Sequence, residues 1–309
     1  MKLALYRHND DVARFGLLTD AGLIDADELA PQAATAQGRM QAVIDRFDDL
    51  RPALQDRIDR GKPLEQSAVR LMPPLPRPGK ILCCIANYWE HAQREARPLN
   101  MFLKNPDAVI GPGDVITLPA YEDPWAFMHE AELALVIKGP AKNVAAENWR
   151  QAVFGVTCLI DVTARADGRK TWRNNSWMGK SFDTFAPIGP CIATIDEVAD
   201  PNALHVQFWN DGELRHNYTT DDMEHRVPEI VEFATRIMTL YSGDLIACGT
   251  NHEGLGFLQD GEEVEIKIEQ IGAMKLTVTD PLKRRWERGV YMGEDSTNPE
   301  AVRRHRPQG

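Results

Sequence analysis

Residues 127–136 (FMHEAELALV) carry two carboxylates one residue apart, Glu130 and Glu132, in a run otherwise apolar enough to be a buried strand. Strand alternation sends both acids to the side of Met128 and Ala134, while His129, Ala131, Leu133 and Leu135 fill the other. Like charges held this way are costly to desolvate unless a positive group sits between them, and a divalent cation is a common solution. The plain alternative is a half-exposed strand with a solvated acidic face. A second apolar run, 157–162 (TCLIDV), ends in Asp161, which supplies a third oxygen ligand if the two strands are neighbours. Three carboxylates suit Mg²⁺ or Mn²⁺, with Ca²⁺ also compatible with an all-oxygen set. Zinc prefers imidazole and thiolate, and the chain has no CxxC or HxxxH pair to offer it.

The polar segment 88–97 (YWEHAQREAR) supplies an imidazole. If it is helical, His91 and Glu95 lie four apart on one face, so the carboxylate can orient the ring and raise its basicity. An ordinary surface contact has the same spacing.

These groups need a scaffold, and 309 residues with 43% hydrophobic content are enough for a substantial core. The formal charge of -11 argues against nucleic acid or an anionic membrane as partner, though a local positive pocket still accommodates a small anion. The amino end has no apolar stretch after a basic start and no later run approaches membrane-spanning length, so a cytoplasmic protein is expected. Cys83, Cys84, Cys158, Cys191 and Cys248 lie in apolar runs and are odd in number, which fits reduced buried thiols.

Residues 1–72 read as a small amino-terminal α+β domain. It has short strands followed by a helical stretch in which Val43, Ile44, Phe47, Leu50 and Leu54 recur at three- and four-residue steps. Residues 73–79, rich in proline, read as an extended linker. From 80 to 280 the chain is strand-rich: ILCCIA, AVIGPGDVITLP after a turn, VQFWNDGE as the start of a hairpin, DLIACGT, and a closing strand pair. An amphipathic helix is expected over 227–240, stopped by Ser242-Gly243. The loop 250–256 (TNHEGLG) follows a strand end, where sites often lie. Residues 281–309 form a basic tail, either solvated or docked through Trp286 and Tyr291.

The ordered succession NYWEH, FLK, GPGD, HEAEL, IDVTAR, KSFDTFAPIGP, NDGE, DDM, SGDLIACGT and EVEIKIEQIG resembles the fumarylacetoacetate hydrolase family over residues 80 to 280. The resemblance implies an α+β, mainly β protein, with a mixed β-roll or β-sandwich-like catalytic fold, a divalent metal that is usually Mg²⁺, and a homodimer. It assigns Glu130, Glu132 and Asp161 to the metal, His91 with Glu95 to water activation and Lys180 to the catalytic set. Thr250, Tyr88 and Arg165 go to the substrate, a small anionic 2-oxo acid or diketo compound of a catabolic pathway. The chain departs from the family pattern at Ile85, at the four-residue step from His91 to Glu95, at Asn251, and at Arg165-Ala166-Asp167 before an insert-like stretch. The expected reaction is hydrolysis of a carbon–carbon bond. Decarboxylation, hydration or dehydration, and isomerisation use the same cage, and a non-catalytic metabolite-binding or scaffold role is the alternative from another class. Trp89, Trp125, Trp172 and Trp177 line a substrate pocket or pack elsewhere.

Overall fold

The computed structural model describes residues 1–10, 12–92, 94–120, 124–166 and 177–286. Its centre is an eleven-stranded mixed sheet. In spatial order the strands are Gly22–Asp25, Arg14–Thr19, Lys2–His8, Ala186–Thr194, Val153–Ile160, Ala131–Ile137, Leu245–Ala247, Ile81–Cys84 and Met101–Lys104. Val69–Met72 pairs with Lys2–His8, and Val109–Ile110 with Ala186–Thr194.

The three central strands are buried at every residue because each face of the sheet is covered. One face of Ala131–Ile137, with Ala131, Leu133, Leu135 and Ile137, packs into a cluster containing Val206, Phe208, Val264 and Ile266. Those residues belong to a second sheet of five strands, Glu213–Thr219, His205–Asn210, Glu263–Ile268, Gly272–Thr279 and Val115–Thr117. The other face, with Ala134 and Val136, packs against Met40, Val43, Ile44, Phe47 and Leu54. Burial on both faces is why these strands read as nearly continuous apolar runs. The result is α+β and mainly β, with a sandwich-like half, as the sequence indicates.

The first 72 residues do not pack as a separate body. Lys2–His8 pairs antiparallel with Ala186–Thr194, and the Met1 ammonium donates to Thr194 Oγ1 at 2.7 Å. The proline-rich stretch is extended as its composition requires, yet Leu75 is fully buried. The division at 73–79 is thus a change in chain character within one shared sheet. The helical stretch forms two helices, Ala36–Asp45 and Phe47–Arg60, separated at Arg46, whose φ of -108° and ψ of 15° interrupt the spiral. Val227–Ile237 buries Val227, Ile230, Val231 and Ala234 but stops at Ile237; Gly243 (φ +82°) instead turns the chain into Leu245–Ala247. Asp211 and Gly212 take φ +48° and +75° in the hairpin turn, which the Asn-Asp-Gly sequence suits. All five cysteines are buried and unpaired, and burial raises each thiol pKa, so they are inert core residues.

The start of the tail returns to the body. The Trp286 ring lies 6.0 Å from Phe127 and 5.8 Å from Phe257, and the Arg284 guanidinium sits 4.6 Å over Phe127. Docking on the same chain therefore holds for Trp286, while Tyr291 lies outside the described residues. Because this ring covers two other aromatics, Trp286→Ala is expected to cost about 1–3 kcal/mol, read from urea unfolding midpoints. An unchanged midpoint would show that the docked ring adds nothing to stability.

Candidate active site

The pairing of two central strands builds the site. Glu132 stands opposite Leu159 and Ala131 opposite Ile160, and the Asp161 N–H donates to the Glu130 carbonyl at 2.8 Å. Glu130 is two residues before Glu132 and Asp161 two after Leu159, so all three acids project from one face. The strand expected over 127–136 is in fact divided: Pro124–Met128 pairs with Thr163–Ala166, and regular strand resumes at Ala131. That corner brings Glu130 level with its neighbours. The three acids are buried, and one carboxylate oxygen from each lies within 4.8 Å of the others.

The chain itself supplies part of the positive charge these acids require. Lys180 Nζ donates to Glu130 Oε2 at 2.6 Å, Asp161 Oδ2 at 2.7 Å and Thr163 Oγ1 at 2.7 Å. Lys104 Nζ, fully buried, donates to Asp161 Oδ1 at 2.6 Å and to the backbone carbonyl of Lys180. Arg165 Nη2 lies 3.5 Å from Glu130 Oε1. An ammonium therefore bridges Glu130 and Asp161, so part of the positive group expected between the acids is a lysine of the chain. Burial alone raises the Glu130 pKa, but Lys180 and Arg165 outweigh it and hold the carboxyl below its ordinary range. Burial lowers Lys180, and the Asp161 and Glu130 charges overcome it, so the ammonium form is strongly favoured.

Glu132 differs. Among the described residues its hydrogen bond comes from the Gly249 N–H, at 2.8 Å, and no lysine or arginine reaches it. Burial first, then the Asp161 and Glu130 charges, push its pKa far above the ordinary value. One buried acid without a cationic partner, beside two more in an all-oxygen donor set, fits a divalent cation of the Mg²⁺ or Mn²⁺ type.

The described residues of 88–97 are not helical. Glu90 and His91 both adopt left-handed backbone, φ +51° and +62°, which no α-helix accommodates. His91 does not meet Glu95. It is 75% exposed, and its Nε2 contacts Glu253 Oε1 at 2.9 Å, while Glu95 faces solvent. Long-range contacts hold the segment instead. Glu224, with no side-chain exposure, accepts from Arg94 Nη1 at 3.1 Å, from the Arg97 N–H at 2.6 Å and from Arg97 Nε at 2.8 Å. Burial raises its pKa, but these arginine contacts outweigh it and bring the carboxyl down to about 2.

Two contacts absent from the sequence reading complete the mouth of the site. Glu90 Oε1 accepts from His252 N–H at 2.9 Å and lies 2.5 Å from His252 Nδ1. Thr250 is buried beside the ligand-facing Gly249, its hydroxyl donating to the Asn251 carbonyl at 3.3 Å. Tyr88 is fully buried, packed edge-on against Tyr218 at 5.1 Å, and so lies beneath the site and not at an opening. Trp89 stacks with Arg94, Trp177 is 56% exposed, and Trp172, like the Trp125 side chain, lies outside the described residues. Lys104 had a faint signal in the FLK motif; Glu90 and His252 had none, being 162 residues apart.

The family described as Fumarylacetoacetate (FAA) hydrolase C-terminal matches residues 80–279. The chain is 36% identical over 225 residues to a mitochondrial oxaloacetate tautomerase of Bos taurus, covering 68% of this chain and 70% of that one. It superposes on maleylpyruvate hydrolase from Sphingobium sp. SYK-6, solved with manganese(II) and pyruvate, with a TM-score of 0.79 at 33% identity, over 91% and 99% of the two chains. A second similar structure is 5-carboxymethyl-2-hydroxymuconate delta-isomerase from Mycobacterium smegmatis, with a TM-score of 0.71 at 30% identity over 91% and 99%. Its relatives thus include a hydrolase, an isomerase and a tautomerase, and the carboxylate cage meets the metal-binding expectation independently. By the match over residues 80–279, the chain belongs to the fumarylacetoacetate hydrolase family.

Proposed function

We propose that this chain is a divalent-metal-dependent enzyme that hydrolyses a carbon–carbon bond in an acylpyruvate-type 2-oxo acid. The observation that carries the reading is Glu132, a buried acid without a cationic partner among the described residues, beside two acids that have theirs. The neighbour solved with manganese(II) and pyruvate supports both the metal class and the substrate class.

Glu130, Glu132 and Asp161 would hold the ion, which when bound acts as a Lewis acid toward the substrate oxygens. Lys104 fixes Asp161 by occupying its Oδ1. Lys180 presents a permanently charged ammonium at the same point, suited to offset negative charge developing on substrate oxygen. In this reading Arg165, beside Glu130, would pair with the substrate carboxylate, and Thr250 would turn its hydroxyl from the Asn251 carbonyl toward the substrate. Keto–enol isomerisation is the second reading, favoured by the 36% identity to the tautomerase. Pyruvate release from maleylpyruvate or fumarylpyruvate indicates cleavage. Enol-to-keto conversion of oxaloacetate without cleavage indicates tautomerisation.

Two substitutions test the cage by stability as well as turnover. Asp161→Asn leaves two buried ammonium groups short of a charge and is expected to cost about 3–5 kcal/mol. Glu132→Gln replaces a buried acid that has no cationic partner among the described residues. Measured with EDTA, it should leave the protein at least as stable as the parent, while abolishing the Mn²⁺-induced rise in melting temperature. Because the folded-state pKa of Glu132 is raised, its stabilising contribution is present below the ordinary carboxylate range and lost as pH rises through the folded value. Glu132→Gln should remove that pH dependence from the metal-free protein. If it destabilises as strongly as Asp161→Asn, Glu132 is a structural acid and the metal reading fails. Lys180→Met should lower kcat for pyruvate release by about 10²- to 10³-fold at saturating Mn²⁺; turnover at the parent's rate would remove Lys180 from the mechanism.

A further inference from the structure

Two consecutive non-glycine residues in left-handed backbone, Glu90 and His91, are unusual, and each costs about 1–2 kcal/mol. Several contacts hold them there. The Trp89 N–H donates to the Asp222 carbonyl at 3.0 Å, the Glu90 N–H to Asp222 Oδ2 at 3.2 Å, and Arg94 and Arg97 close on Glu224. Asn251 Nδ2 donates to the same Asp222 carboxylate at 2.8 Å, so the 88–97 segment and the 249–257 loop share one anchor. The outcome of this arrangement is the Glu90–His252 contact.

The geometry resembles that of an oriented general base. Nδ1 of His252 is engaged by Glu90, and Nε2 has no partner among the described residues. The His252 side chain is 26% exposed, enough to reach water while its orientation stays fixed. Three residues upstream of His252, the Gly249 N–H bonds Glu132 at 2.8 Å, so the loop that carries the imidazole also touches the carboxylate cage. His91 has the opposite arrangement: it is largely in solvent, and its Nε2 is the nitrogen already engaged.

We propose that His252 is the catalytic acid–base of this chain and Glu90 its positioning residue, in place of the expected His91–Glu95 pair. The inference rests on the 2-oxo acid reading above. Water gives a proton to His252 Nε2, and its oxygen bonds to the carbonyl carbon remote from the 2-oxo acid end. The bond from that carbon to C3 breaks, its electron pair staying with the pyruvate-type fragment. The proton on Nε2 then passes to C3, giving a carboxylic acid and a 2-oxo acid with no oxidant or reductant. Asp222, Glu253, His91, Glu130, His216, Arg94 and Arg97 are charged or titratable groups around this pair.

The test uses the full-length Mn²⁺-loaded protein. His252→Gln should lower kcat for pyruvate release by about 100-fold or more, and His91→Gln by less than about tenfold. Both should keep the Mn²⁺-induced melting shift. Glu90→Gln should lower kcat with little change in KM, and Glu90→Asp should recover part of the loss. Long-range ¹H–¹⁵N spectra of histidine-labelled protein, assigned with His252→Gln, should show His252 as the Nδ1–H tautomer, and Glu90→Gln should weaken that preference. Turnover of His252→Gln within tenfold of the parent, or an Nε2–H tautomer in the parent, would overturn the assignment. If the parent releases no pyruvate from any acylpyruvate, the reaction class fails on its own. The tautomer then decides the pair, Nδ1–H supporting it and Nε2–H overturning it.

Discussion

The antiparallel register of Ala131–Ile137 against Val153–Ile160 is the constraint from which the rest follows. With Glu132 opposite Leu159 and Asp161 bonded through its N–H to the Glu130 carbonyl, three acids must share one small buried volume. A one-residue slip would send the set to the opposite face. The acids would be prohibitively costly there without compensation, and the surrounding structure supplies it. Lys104 arrives from the edge strand Met101–Lys104 and Lys180 from the turn Trp177–Lys180. The continuous apolar layers on both sides of the sheet keep water from doing this work instead.

The site divides its labour between sheet and loops. The sheet fixes the ligand geometry to within the precision of close packing. The two loops, 88–97 and 249–257, carry the groups able to move protons, and Asp222 joins them. The two superposed structures, named for different reactions, share this fold, as expected where one scaffold hosts several chemistries.

The cage was readable because local pattern and tertiary outcome agree. Acids at alternate positions in apolar runs have few places to go in a folded chain, and Asp161 at the end of its run fits the same logic. Even so, the break at His129–Glu130 was invisible, since FMHEAELALV scores equally well as one strand. The helical option for 88–97 fails for a physical reason: the segment has acceptable helix formers, but Glu90 and His91 take left-handed backbone while Arg94 and Arg97 are held on Glu224 by long-range contacts. Lys104 looks like a strand-end surface residue, and only the fold shows that its ammonium lies beside an acid 57 residues away. Tyr88 sits in a polar-looking segment, yet its ring faces the core.

The lack of a cationic partner for Glu132 among the described residues has a consequence for how the site fills. Burial and two neighbouring carboxylates push its pKa well up, so an entering cation competes with protons for this carboxylate. Affinity for such an ion therefore climbs with alkalinity. Once in place it would add positive charge beside Lys104, Lys180 and Arg165. An acidic ligand would then meet a more attractive floor than the metal-free chain offers.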